Sequence, residues 1–248
     1  MKRLTLATIL LLLATLLAGC GKKGPVRPKL ATLPPPPAVM ELHQQGESLL
    51  LSWEVPQASE DLAGFSIRRL AYDAADACPT CREPQDEVAR LDLGNPAPGQ
   101  RIGQRIYWRD AAVSPGSGYR YAVHPLTVGG MVCPPALLHR AVLSPPEAPG
   151  SLRAEPGDGQ VALKWQAPAL AEDAELLGYN LYRRSHGQPF PAVPVNPEPL
   201  KGTALVNRGL QPGQGYEFRV TSLVRAGGMT LESEPTAGLA DSPSGGSR

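Results

Sequence analysis

Aromatic side chains are scarce in this sequence: Phe, Trp and Tyr together supply only 5% of the 248 residues. Helical periodicity is scarcer still, since no long stretch repeats apolar residues every three to four positions, which excludes a helical bundle. Acids are scattered without a nameable carboxylate pair, phosphate-cradling glycine loops are missing, and Gly116-Ser117-Gly118 lacks the frame of a nucleophile elbow. The four histidines, His43, His124, His139 and His186, stand apart, without the spacing of a triad or a metal site. These absences argue against an enzyme, a metal site or an organic cofactor. Charge of one sign is lacking too: the formal net charge is +1, so nothing favours nucleic acid as a partner. What the chain has in plenty is Pro 28 and Gly 26, the turn-rich composition of many short strands, in a length that suits two small domains.

The first residues have a different character. Lys2 and Arg3 precede an apolar run from Leu4 to Ala18, which is shorter than the ~20 residues a spanning helix needs. This is the pattern of an export signal over 1–19. Lys2 and Arg3 are its only charged residues, so cleavage would take the net charge from +1 to −1. Leu17-Ala18-Gly19-Cys20 resembles a bacterial lipobox. The resemblance implies that Cys20 receives a diacylglyceryl group, that the chain is cut before it, and that the new amine takes a fatty acyl group such as palmitate. Gly21 stands where an aspartate would resemble an inner-membrane retention signal, so the expected address is the outer membrane of a Gram-negative cell. Cys20-Gly21-Lys22-Lys23-Gly24-Pro25 is similar to the lipid-attachment motif of the small lipoproteins typified by the maturation factor of the lipopolysaccharide translocon. That similarity implies either a contact at the membrane or simply a basic spacer. Pro25, Pro28 and Pro34 to Pro37 make residues 20–36 a stiff arm, extending roughly 3.1 Å per residue.

From Pro37 the sequence repeats itself. Leu49-Leu50-Leu51-Ser52-Trp53 is answered by Val161-Ala162-Leu163-Lys164-Trp165, Gly64-Phe65 by Gly178-Tyr179, and Tyr119-Arg120-Tyr121-Ala122-Val123 by Tyr216-Glu217-Phe218-Arg219-Val220. Alternation puts Leu49, Leu51 and Trp53 on one face of a strand, with Val161, Leu163 and Trp165 matching them, while the residues between should face water. The steps from Val113 to Tyr119 and from Leu210 to Tyr216, each with Pro-Gly inside, closely resemble the E-to-F crossing of fibronectin type III domains. There the tyrosine hydroxyl bonds back to the chain. The resemblance implies an all-β protein of two tandem fibronectin type III, immunoglobulin-like sandwiches over 37–144 and 145–240, with a disordered tail at 241–248. Asp110 and Asn207 read as turn-capping side chains. The proline-rich junction Ser144 to Pro149 predicts two domains set end to end.

The copies differ in length. Trp53 to Tyr119 spans 66 positions against 51 from Trp165 to Tyr216, and the extra chain carries Cys78-Pro79-Thr80-Cys81. A redox motif would want a helix after it, a c-type haem would want histidine where Arg82 stands, and zinc would need a fourth ligand such as His124 or His139 beside Cys133. A structural disulfide fits an oxidising compartment better. Cys78 to Cys81 closes locally, whereas a bridge to Cys133 gains more from loop closure and is slightly favoured, although the insert must then climb back along the sheet.

The resulting expectation is a non-enzymatic, lipid-anchored envelope protein whose two sandwiches mediate protein–protein interaction or scaffolding, held to the membrane and meeting another envelope protein or a glycan. Alternatives are an assembly factor of the lipopolysaccharide translocon or outer membrane, a thiol-linked factor, and a carbohydrate-binding or cell-wall-associated module using Tyr72, Tyr107 or Tyr182.

Overall fold

The computed structural model describes residues 33–57, 60–75, 78–241 and 243. The expected signal over 1–19 with Leu17, Ala18 and Gly19, the anchor Cys20, most of the 20–36 arm and most of the 241–248 tail lie outside the described residues. All regular elements described are strands. The first half contains β1 (Ala38–Gln45), β2 (Ser48–Glu54), β3 (Leu62–Asp73), β4 (Asp86–Asp92), β5 (Gln100–Ile102), β6 (Arg105–Asp110), β7 (Ser117–Thr127) and β8 (Ala136–Ala141). The second contains β9 (Gly150–Gly157), β10 (Gln160–Gln166), β11 (Glu175–Ser185), β12 (Ala204–Arg208), β13 (Tyr216–Ala226), β14 (Met229–Glu232) and β15 (Leu239–Asp241).

Alternation is realised as expected. Leu49, Leu51, Trp53, Tyr121 and Val123 are buried in a first core between the layers β1-β2-β6-β5 and β4-β3-β7-β8. Val161, Leu163, Trp165, Tyr216, Phe218 and Val220 fill a second core between β9-β10-β12 and β11-β13-β14, where β15 continues the edge of β13. The repeat extends to ring geometry. Trp53 meets Phe65 edge-on at 5.4 Å between centroids, and Trp165 meets Tyr179 at the same distance. Each first strand begins with a bulge at a non-glycine residue of positive φ, Val39 at 48° and Ser151 at 50°.

Both tyrosine corners form. The Ser114 N–H donates to the Tyr119 hydroxyl at 3.0 Å, and the Gln211 N–H donates to that of Tyr216 at 3.2 Å. A β3 or β11 arginine completes each corner: Arg69 lies over the Tyr119 ring and donates to Asp110, while Arg183 lies over Tyr216 and donates to Asn207. Asp110 also caps its turn, accepting from the Ala112 N–H.

The expectation of one wet face per sheet fails in the first half. Arg120, pointing out of β7 on the side away from the core, is 5% exposed because the extra chain after β3 folds back over it. Its guanidinium donates to the carbonyls of Thr80 and Arg82 and, at 3.2 Å, to Glu83 Oε1. Replacing Tyr119 or Tyr216 with Phe removes the acceptor for one backbone N–H, a loss of about 1–3 kcal/mol. The two costs should add in urea denaturation, since the corners lie in separate cores.

Candidate functional site

The disulfide is local. Cys78 bridges Cys81, with Cα atoms 5.4 Å apart, and the Cys81 N–H donates to the Cys78 carbonyl in a tight turn. The favoured bridge to Cys133 is thereby corrected. Loop closure stabilises a bridge only when the loop can reach its partner, and here Arg120 holds the turn through Thr80 and Arg82. Cys133 is a free thiol, 2% exposed, between β7 and β8, and its N–H donates to the Pro125 carbonyl. Burial pushes that thiol's pKa up, which suppresses the reactive thiolate.

The expected end-to-end arrangement is also corrected. The second half lies against the outer face of β1, β2 and β6, and β14 pairs in parallel with β1 through Gln45 and Glu232. The linker cannot splay because its backbone is gripped from both sides. Gln44 exchanges two hydrogen bonds with Leu143, and Ser222 Oγ donates to the Glu147 carbonyl. Arg140 spans the seam, donating to the carbonyls of Leu42 and Thr230.

Glu232 is the centre of this seam. Its Oε1 accepts from Gln45 Nε2 at 3.0 Å, Asn180 Nδ2 at 3.2 Å, the Tyr182 hydroxyl at 2.8 Å and the Thr221 hydroxyl. Burial and the neighbouring Glu232 carboxylate hold Tyr182 far above the ordinary phenol pKa, so it remains a donor. Nearby, Gly46 turns the β1–β2 hairpin at φ +58°, and a Cβ there would fall 1.9 Å from the Glu234 carboxylate. That carboxylate accepts instead from the Glu47 N–H, while the Gly46 N–H reaches the Glu232 carbonyl.

Two clefts run along the seam. One of about 400 Å³ is lined by Arg109, Gln100, Phe190 and Arg219 among others, and one of about 330 Å³ by His43, Tyr107, Asn180 and Glu232 among others. Gln100, in the wall of the first, donates to the Phe190 carbonyl and accepts from the Ala192 N–H. Phe190 lies between the guanidinium groups of Arg184 and Arg219, at 4.5 and 4.2 Å. Desolvation in this cleft lowers the Arg109 pKa from its ordinary value.

The remaining sequence candidates fall elsewhere. Tyr72 is buried against His139 and Tyr182 in the seam, so neither offers an open stacking face for sugar; Tyr107 is half-buried in the clefts. His43 pairs with Glu41, His124 lies 2.9 Å from the Cys133 carbonyl, and His186 pairs with Glu217. Among the described residues no three His, Cys, Asp or Glu side chains come together as metal ligands. The seam residues were missed because Gln45, Asn180, Thr221 and Glu232 are ordinary strand polar residues in sequence.

Residues 145–238 match the model of the Fibronectin type III domain family, so a domain of that class forms the second half. Human myomesin-2 is 26% identical over 212 residues, covering 82% of this chain; the chain spans 13% of that relative's length. A crystal structure of the FN1–FN3 domains of chicken CNTN1 aligns over 84% of this chain and 68% of its own, with 15% identity and a TM-score of 0.32.

Two outcomes test this geometry. Glu232→Ala should lower stability by about 2–3 kcal/mol, because several buried donors lose a charged acceptor, and should expose the 142–149 linker to limited proteolysis. Glu47→Ala, which keeps the backbone donor, should do neither. In thiol counting, a maleimide should label neither Cys78, Cys81 nor Cys133 in the folded protein, two of them after mild reduction, and Cys133 only on unfolding.

Proposed function

We propose that this chain is a non-enzymatic, lipid-anchored protein of a bacterial envelope, in which two tandem fibronectin type III domains act as a protein-interaction scaffold. The match of residues 145–238 to the fibronectin type III family carries the scaffold reading. The seam supports it, since Glu232, Gln44 and Arg140 lock the halves into one platform and do not leave two hinged beads. Myomesin-2, by name a protein of another setting, supports the domain type and nothing about a partner. The anchor reading rests on Leu17-Ala18-Gly19-Cys20 behind a basic, then apolar, leader. Several acyl chains at Cys20 hold a protein far more firmly than one. The arm with Lys22, Lys23 and its prolines would join the anchor to the platform. A thiol-exchange role draws less support, because Cys133 is buried and offers no resolving thiol beside the Cys78–Cys81 bridge.

Expression from Met1 in a Gram-negative host tests the anchor. The mature mass should begin at Cys20 and carry a diacylglyceryl and a fatty acyl group, and the protein should sediment with outer membranes. Cys20→Ser should leave it uncleaved or released. An unmodified Cys20 in the native chain would remove the anchor from the proposal. Crosslinking in intact cells, followed by purification, tests the scaffold: a reproducible partner lost with Glu232→Ala is expected, and no partner would reduce the chain to a spacer.

A further inference from the structure

Six of the ten large apolar side chains left exposed among the described residues, Leu33, Val39, Ile102, Val128, Met131 and Val132, gather at one end of the first half. The pairing fixes that end. Ala38 at the start of β1 lies beside Glu54 at the end of β2, Arg105 faces Glu54, Thr127 at the end of β7 pairs with Leu62, and the Val128 N–H donates to the Asp61 carbonyl. The β5–β6 turn, the β7–β8 turn and the entry of the chain at Leu33 therefore share one pole, away from the Gly46 hairpin that meets the second half. Val128 is the most exposed of the six at 72%.

The fold does not require these side chains. The corresponding turn of the second half keeps the same Gly-Gly-Met, but Ala226 and Thr230 stand where the first half has Val128 and Val132. Val39 is a β-branched residue at φ 48°, a costly conformation, held by Arg105 donating to its carbonyl, with its side chain 55% exposed. Val128, Met131 and Val132 share the β7–β8 turn and Ile102 ends β5, and neither of the two seam clefts is lined by any of them. A fluid acyl layer conforms to such tips, whereas a folded partner would need matching pits.

We propose that this pole rests on the bilayer, with Val128, Met131 and Ile102 entering the headgroup and upper acyl region. The inference builds on the anchoring at Cys20. Leu33 follows Cys20 by 13 positions, a stretch that reaches roughly 45 Å at most in any conformation, and contacts too weak alone are reinforced by such a tether. Glu54, Glu60, Asp61 and Arg101 are exposed at the same end, mixed charges that suit a zwitterionic surface.

The test uses the chain from Cys20 onward, coupled through that thiol to a maleimide-headgroup lipid in phosphatidylcholine vesicles with brominated acyl chains. Coupling supplies the tether whether or not cells acylate Cys20, so failure of the anchor, read from the native mass, is separate from failure of docking. Tryptophan is introduced singly as V128W, M131W or I102W, with V206W in the second half as the distant exposed control; Trp53, Trp108 and Trp165 are buried and give a constant background. The pole reporters should lose emission to bromine while V206W does not. Pole reporters as unquenched as V206W, in variants whose circular dichroism matches the parent, would overturn the proposal.

Discussion

Two packed sheets bury one face each and leave two outer faces to water, and what is individual in this chain follows from how those outer faces are covered. In the first half neither is left bare. The extra chain carrying Cys78 and Cys81 folds over β7 and traps Arg120, while the second half covers β1, β2 and β6. Covering a polar sheet face stabilises it only if most of its buried donors find acceptors. The two solutions are complementary: under the insert a buried cation is met by carbonyls, and along the seam a carboxylate is met by amide and hydroxyl donors.

That pairing logic explains why the seam is polar yet fixed. An apolar contact of similar area could slide, since hydrophobic burial is non-directional. Four donors converging on Glu232 Oε1 from β1, β11 and β13 define one relative position of the halves. Removing any one of them leaves the others still pointing at the same oxygen. The proposed scaffold role would draw on this property more than on extra stability.

Much of the fold was legible because alternation and spacing are local. Leu49, Leu51 and Trp53 announce a buried strand face within five residues, and the Val113-to-Tyr119 spacing announces a corner that then forms with the expected hydroxyl contact. The seam was illegible for the opposite reason. Gln45 and Glu232 are 187 positions apart, and each alone is an unremarkable polar strand residue. The cysteine pairing failed for a similar reason: loop-closure entropy can be counted from sequence, but the path of the insert cannot, and Arg120 decides that path. The proline-rich junction said nothing of direction, which the side chains of Gln44 and Ser222 set.

The two halves, set side by side, show how charge is matched to the donors available. In the first half, Asp110, 4% exposed, accepts from Arg69, from the Tyr121 hydroxyl and from the Ala112 N–H. Burial and that carboxylate together raise the Tyr121 pKa well above its usual range, so the phenol stays a donor. In the second half, Phe218 stands at the place of Tyr121, and the hydroxyl is gone. A carboxylate there would keep Arg183 but lose a buried donor, leaving charge poorly solvated. Asn207 stands at the place of Asp110, a neutral amide whose oxygen is served by Arg183 alone at 2.7 Å. The two copies thus differ at linked positions, donor and charge together, because a buried acceptor can carry only as much charge as its surroundings can bond.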